Sequence, residues 1–140
     1  LHFTKRLIAF RKRHPILRQR RFLHSRERPA DGLPDLFWWR ADGEMMGDAD
    51  WQSDGPLCAE LRMASGTPFY AETEAAIFLI FNRNGATEAV LPPIPETRRW
   101  RLAIDTSQAD GGSGDVACRG KVDVPAESVM ALVLERGSDE

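Results

Sequence analysis

From Leu33 onward the apolar residues come in short runs, and most runs are closed by proline, glycine, asparagine or aspartate. Runs of that length, rich in branched and aromatic side chains, suit pleated strands better than helices. DLFWWR (35–40), LCAELRM (57–63), AAIFLIFN (75–82), TEAVL (87–91), RRWRLAID (98–105), KVDV (121–124) and SVMALVLE (128–135) therefore read as seven strands. Asn84-Gly85, within RNGA, is a favoured signal for a tight hairpin between two of them. PPIPE (92–96) makes a rigid corner, because proline has no N–H for a central ladder. QADGGSGD (108–115) has the composition of an exposed loop. Seven short strands with such turns predict a mainly β fold, an antiparallel β-sandwich.

The first residues follow a different period. Phe3, Leu7 and Phe10 recur at helical spacing with Ile8 beside them, while Lys5, Arg6, Lys12 and Arg13 fall largely on other faces. This predicts an N-terminal amphipathic helix. His14-Pro15 ends it, since the residue before proline is pushed away from helical angles. Ile16, Leu17, Phe22 and Leu23 form a second short apolar contact. A twelve-residue helix is marginal by itself in water, so something else must cover its stripe. Charge divides the chain in the same region. Residues 1–28 hold ten Lys or Arg against the single acid Glu27, whereas residues 29–140 hold nine basic and twenty acidic residues. That asymmetry, hidden under a net charge of −2, places a boundary near Arg28–Gly32. The expected organisation is a helical segment, 1–28, and a β-sandwich domain, 29–140. The chain starts without methionine inside a helical pattern, as a piece of a longer protein would.

A length of 140 residues suits one ordinary domain. No apolar run is long enough to span a bilayer. LHFTKRLIAF is no signal peptide either, being interrupted by Lys5 and Arg6, so no membrane partner is expected. Cys58 and Cys118 stand sixty residues apart in no metal-like spacing, which favours a reduced, cytoplasmic pair of packed thiols over a disulfide. His2, His14 and His24 are scattered without acids or cysteines at ligand spacing, so no metal is expected. Asp42, Glu44, Asp48 and Asp50 come closest to a carboxylate cluster, yet they occupy a glycine-containing, turn-rich segment and read as solvated loop acids. Their spacing also lacks the pattern of a calcium loop. Ser65-Gly66 is not part of a nucleophile elbow, and Gly111, Gly112 and Gly114 lack the following helix of a phosphate cradle. No catalytic, cofactor-binding or metal-binding residue is assigned, and the chain does not read as a complete enzyme. RKRHPILRQRR (11–21) has charge enough to neutralise several phosphates, but Ile16 and Leu17 inside it favour docking on protein over nucleic acid.

WWRADGEMMGDADW (38–51) holds three of the four tryptophans. Trp38 and Trp39 are adjacent in a strand and must point to opposite faces, one entering the core and the other meeting a neighbour. Met45, Met46 and Trp51 are expected to fill the irregular gap left there. The competing reading is a sugar-stacking platform, which would need two exposed indoles on one face; adjacent positions do not supply that.

The order of features resembles the end of the isoamylase-type glycogen debranching enzymes, members of the α-amylase superfamily. LIAFRKRHPIL (7–17) is similar to the last helix of their catalytic (β/α)₈ barrel, and RRFLH (20–24) to its continuation. Trp39, Asp42-Gly43, Met46 and Asp50-Trp51 match a family stretch in which tryptophan is followed by Asp-Gly, methionine and a terminal Asp-Trp. FLIFNRN (78–84), VLP (90–92) and WRLAIDT (100–106) follow in family order, with Arg83 standing where a small residue is usual. The resemblance implies a C-terminal β-sandwich that follows the barrel in an enzyme hydrolysing α-1,6 branch linkages of glycogen or limit dextrins without a cofactor. The family's catalytic carboxylates lie on barrel strands upstream, so none falls on a residue here. The implied partners are the (β/α)₈ barrel of the same parent chain and, through it, glycogen or limit dextrin in a bacterial cytoplasm. An independent carbohydrate-binding sandwich and, behind it, a nucleic-acid-binding basic arm remain the alternatives.

Overall fold

The computed structural model describes residues 2–19, 33–52, 55–62, 74–94, 98–108, 116–118 and 120–135. Among the described residues a helix, α1 (His2–Arg13), precedes eight strands: β1 (Leu36–Trp39), β2 (Leu57–Leu61), β3 (Glu74–Asn82), β4 (Thr87–Val90), β5 (Trp100–Asp105), β6 (Val116–Cys118), β7 (Lys121–Val124) and β8 (Ser128–Glu135). Six strands form one sheet in the order β1-β2-β3-β8-β5-β6, and β4 pairs with β7 in a second, smaller sheet. Every pairing is antiparallel. The fold is therefore mainly antiparallel β with one N-terminal helix, a β-sandwich as the strand pattern predicts. Each of the seven sequence runs contains a strand; the eighth, β6, emerges beyond the loop-like QADGGSGD.

The hairpin expected at Asn84-Gly85 is corrected. β3 pairs with β2 and β8, while the strand after the turn, β4, belongs to the other sheet. Gly85 is not among the glycines with positive φ, so the mirror-image turn that closes a two-residue hairpin is not formed. Asn82 shapes the corner instead. Its side-chain amide donates to the carbonyls of Gly85 (3.1 Å) and Pro125 (3.0 Å), and its Oδ1 accepts from the Asn84 N–H (3.1 Å). These bonds send the chain across to the second sheet rather than back along the first.

Between the sheets, Cys58, Phe78, Ile80, Trp100, Met130 and Leu132 of the large sheet meet Ala89, Val122 and Val124 of the small one. On the opposite face of the large sheet, Ile77, Ala103, Ile104, Ala131 and Val133 are covered by Phe10 of α1 and by Ile16, in the 3₁₀ turn Pro15–Arg18. Both faces of β3 and β8 are thus buried near their centres, which explains why these strands read as continuous apolar runs rather than as alternating ones. The helix is tied down by its basic residues. Arg6 donates to the Ala103 carbonyl (3.3 Å), and Arg18 donates to the Arg11 and Lys12 carbonyls (3.0 and 2.9 Å), which the end of a helix leaves unpaired. Leu7 and Ile8 stay 37% and 50% exposed. The expected boundary near Arg28–Gly32, and Phe22 and Leu23 with it, lie outside the described residues.

Cys58 and Cys118 form no disulfide. Cys58 lies in β2 and Cys118 in β6, four strand positions apart, or about 19 Å at the usual strand spacing, far beyond disulfide reach. Burial pushes the Cys58 thiol up to about 12. Burial also raises Cys118, partly offset by a backbone hydrogen bond at Leu102.

Candidate functional site

The tryptophan-rich segment builds one wall of a cleft. Beyond β1 the chain turns at Arg40–Gly43: Gly43 N–H donates to the Arg40 carbonyl (3.1 Å), Arg40 N–H to the Glu44 carbonyl (2.8 Å), and Glu44 N–H to Asp42 Oδ1 (3.0 Å). Gly43 holds φ at +88°, and a Cβ there would sit 2.9 Å from Val90 Cγ1. Both facts demand glycine. Gly43→Ala should cost about 1–3 kcal/mol from left-handed strain and overpacking against β4. Gly85→Ala, with open space around its Cβ and no left-handed φ, should stay within about 0.5 kcal/mol. Urea unfolding of the two variants measures the contrast.

Further along, Asp50 Oδ2 accepts from the Gly47 N–H (2.8 Å), and the Asp50 N–H returns a bond to the Gly47 carbonyl (3.0 Å). This reciprocal pair fixes the 3₁₀ turn Asp48–Gln52, which carries Trp51. The Trp51 ring meets Trp38 edge-on, with centroids 5.3 Å apart and planes at 76°. Trp39 points the other way. It packs against the inter-sheet core and donates from Nε1 to Glu60 Oε1 (3.2 Å). The opposite-face expectation for the two adjacent indoles therefore describes their placement. Met45 and Trp51 remain 63% and 49% exposed within this chain, open to the neighbour against which they and Met46 are expected to pack.

Trp51 and Met46 line a cleft of about 600 Å³ with Leu57, Phe81 and Val129, and Asp50, Arg83 and Glu127 are also among its lining residues. Leu57, Phe81 and Val129 are register partners across β2, β3 and β8, on the same face that α1 covers elsewhere. α1 and its 3₁₀ turn lie over Ile77. Phe81 is four residues, or about 13 Å, further along β3 and stays 41% exposed. Glu127, in the turn between β7 and β8, has φ +49°. A non-glycine residue in that region carries about 1–2 kcal/mol of strain. The turn is clamped all the same, by Glu127 N–H donating to the Asn84 carbonyl (3.0 Å) and by Ser128 Oγ and Asn82 on the Pro125 carbonyl.

The loop acids thus have structural duties. Asp42 closes the Gly43 turn and pairs with Arg40, while Asp50 anchors the Trp51 turn. His14 is buried beside Phe10 (ring centroids 4.5 Å apart), His2 is exposed on α1, and His24, Ser65 and Gly111 to Gly114 lie outside the described residues. Among the described residues no three His, Cys, Asp or Glu come together as a metal site. The cleft itself was not assembled from sequence, because Trp51 and Phe81 belong to segments thirty residues apart. No helix among the described residues is long and apolar enough to cross a membrane.

No family model matches the chain. It is 30% identical over 119 residues to an isoamylase from Flavobacterium sp, an alignment covering 84% of this chain but 15% of that protein. The chain is related to a region of an isoamylase and spans only a small part of its relative's length.

Proposed function

We propose that this chain is the non-catalytic C-terminal β-domain of a bacterial glycogen-debranching glycoside hydrolase, whose catalytic (β/α)₈ barrel opens α-1,6 branch linkages in glycogen or limit dextrins. The observation that carries the reading is the alignment to an isoamylase, which takes in most of this chain and a small part of that protein. The duties found for Asp42 and Asp50 support it, since both hold turns rather than face each other across a substrate. A cytoplasmic setting suits the two unbridged thiols.

The domain's role is to cover and steady the catalytic barrel, and the outward side chains of α1 are the surface for it. Leu7 and Ile8 are adjacent apolar residues on a helix already fastened to the sheet by Phe10 and Arg6. Covering them adds about 2–4 kcal/mol at about 25 cal/mol per Å² of apolar area. In the parent enzyme, Leu7→Asp combined with Ile8→Asp should lower the melting temperature while leaving kcat/KM per folded molecule unchanged. Release of reducing ends from glycogen by the 140-residue chain alone would overturn the non-catalytic assignment.

A further inference from the structure

We propose that the cleft lined by Trp51 and Phe81 is a non-catalytic binding site for an α-glucan chain. The identity of the sugar rests on the debranching reading above; the existence of the site rests on its geometry. A pyranose ring presents apolar C–H faces and a rim of hydroxyls. It asks for exposed aromatic surface beside groups that exchange hydrogen bonds with water. Trp51 and Phe81 offer such rings, half-exposed within one cleft, and the polar residues Asp50, Arg83 and Glu127 contribute to the same lining. The volume, about 600 Å³, falls in the range of small-ligand sites.

The site is set in advance of any ligand. The Trp51 ring is braced edge-on by Trp38, and its turn is locked by the reciprocal Asp50–Gly47 bonds. Asn82 fastens the turn that carries Glu127. Bracing of this kind lowers the ordering cost of binding. Glu127 adds an independent sign. It occupies a backbone conformation that glycine would adopt without strain, and strain retained at one residue marks a side chain with work to do. The competing occupant is another protein surface, the barrel above all. A dry seam would strip water from Glu127 and from what the Asp50 carboxylate leaves open, and a protein face would have to match both, which is costly. Sugar hydroxyls replace that water with hydrogen bonds, and the uncharged pair Leu7 and Ile8 suits a seam better.

The test is native gel electrophoresis of the 140-residue chain through glycogen, followed by titration with maltoheptaose and, separately, cellohexaose. Glycogen should retard the chain, and maltoheptaose should bind where cellohexaose does not. Trp51→Ala should weaken binding by about tenfold or more. Glu127→Gly should weaken it about fivefold while the melting temperature holds or rises, a combination that a merely structural Glu127 would not give. Unchanged retardation of either variant overturns the proposal. Absence of retardation for the parent sequence overturns the site but not the debranching reading, which hydrolysis by the parent enzyme decides. Preference for cellohexaose overturns the α-glucan assignment and counts against both. If the chain ignores glycogen and Trp51→Ala instead lowers the melting temperature of the full enzyme, the cleft is a seam and the proposal is lost.

Discussion

Replacing Trp100 with alanine should lower the unfolding free energy by about 3–5 kcal/mol and the melting temperature by roughly 10–20 °C. Trp100 is fully buried, opens β5 opposite Leu134 of β8 and Cys118 of β6, and packs on Phe78 with ring centroids 5.8 Å apart. Its core cluster includes Val122 and Val124, so the indole helps fasten the small sheet onto the large one. Its Nε1 also donates to the Pro92 carbonyl (3.2 Å), tying Pro92 to the start of β5. Truncation removes all of these contacts and leaves a cavity that β-strands, held by their ladders, relax into poorly. Trp100→Phe keeps much of the apolar contact and loses the hydrogen bond, so it should cost less, about 1–3 kcal/mol. The half-exposed Trp51 is the comparison: its truncation should cost under about 1 kcal/mol in this chain, leaving the binding test interpretable. Urea unfolding at unchanged m-value reads all three. A cost below about 1 kcal/mol for Trp100→Ala would mean that the small sheet is not held through this residue.

What was legible in the sequence was local, and what was hidden was pairing. All seven apolar runs hold strands because period and punctuation act within a few residues. The three residues of β6 were missed because so short a strand has no period of its own and exists by pairing with Trp100, Arg101 and Leu102. Asn84-Gly85 misled for a similar reason. The dipeptide permits a mirror-image turn, but Asn82 competes for the same backbone and, with Pro125, draws the chain to the other sheet. Sequence patterning also left the partner of the Phe10 stripe open. The structure supplies the chain's own sheet for Phe10 and Ile16, and leaves Leu7 and Ile8 uncovered.

The cleft shows the same division. The alternation of Trp38 and Trp39 follows from strand geometry and was available from their adjacency. The placement of Trp51 and Phe81 in one cleft was not, because it depends on where a 3₁₀ turn lies relative to a strand thirty residues away. Adjacent Trp38 and Trp39 share no face, as strand alternation requires, whereas the cleft draws Trp51 and Phe81 from two distant segments. Sites of that kind become visible only when the strand register is known.

The second large effect is expected at Glu60, a residue whose charge the strand pattern gave no reason to bury. Glu60 and Arg62 stand two apart in and just after β2, both buried, with Oε2 and Nη2 at 3.1 Å. Glu60 Oε1 accepts from Trp39 Nε1, and the Arg62 backbone binds Asp35 through its N–H (2.8 Å) and Gln19 through its carbonyl (2.9 Å). One ion pair thus sits where β1, β2 and the N-terminal segment converge. Glu60→Ala leaves the guanidinium buried without its counter-charge and should cost about 3–5 kcal/mol. Changing both residues to leucine removes the charges together. That double variant should fall within about 2 kcal/mol of the parent, the residual cost coming from the orphaned Trp39 N–H. A double-mutant cycle in urea therefore reads a coupling of several kcal/mol, hardly changed by added salt because the pair is shielded from counterions. Additive single costs would place both charges in contact with water, and the convergence of Trp39, Asp35 and Gln19 on this strand end would then have to be held by backbone bonds alone.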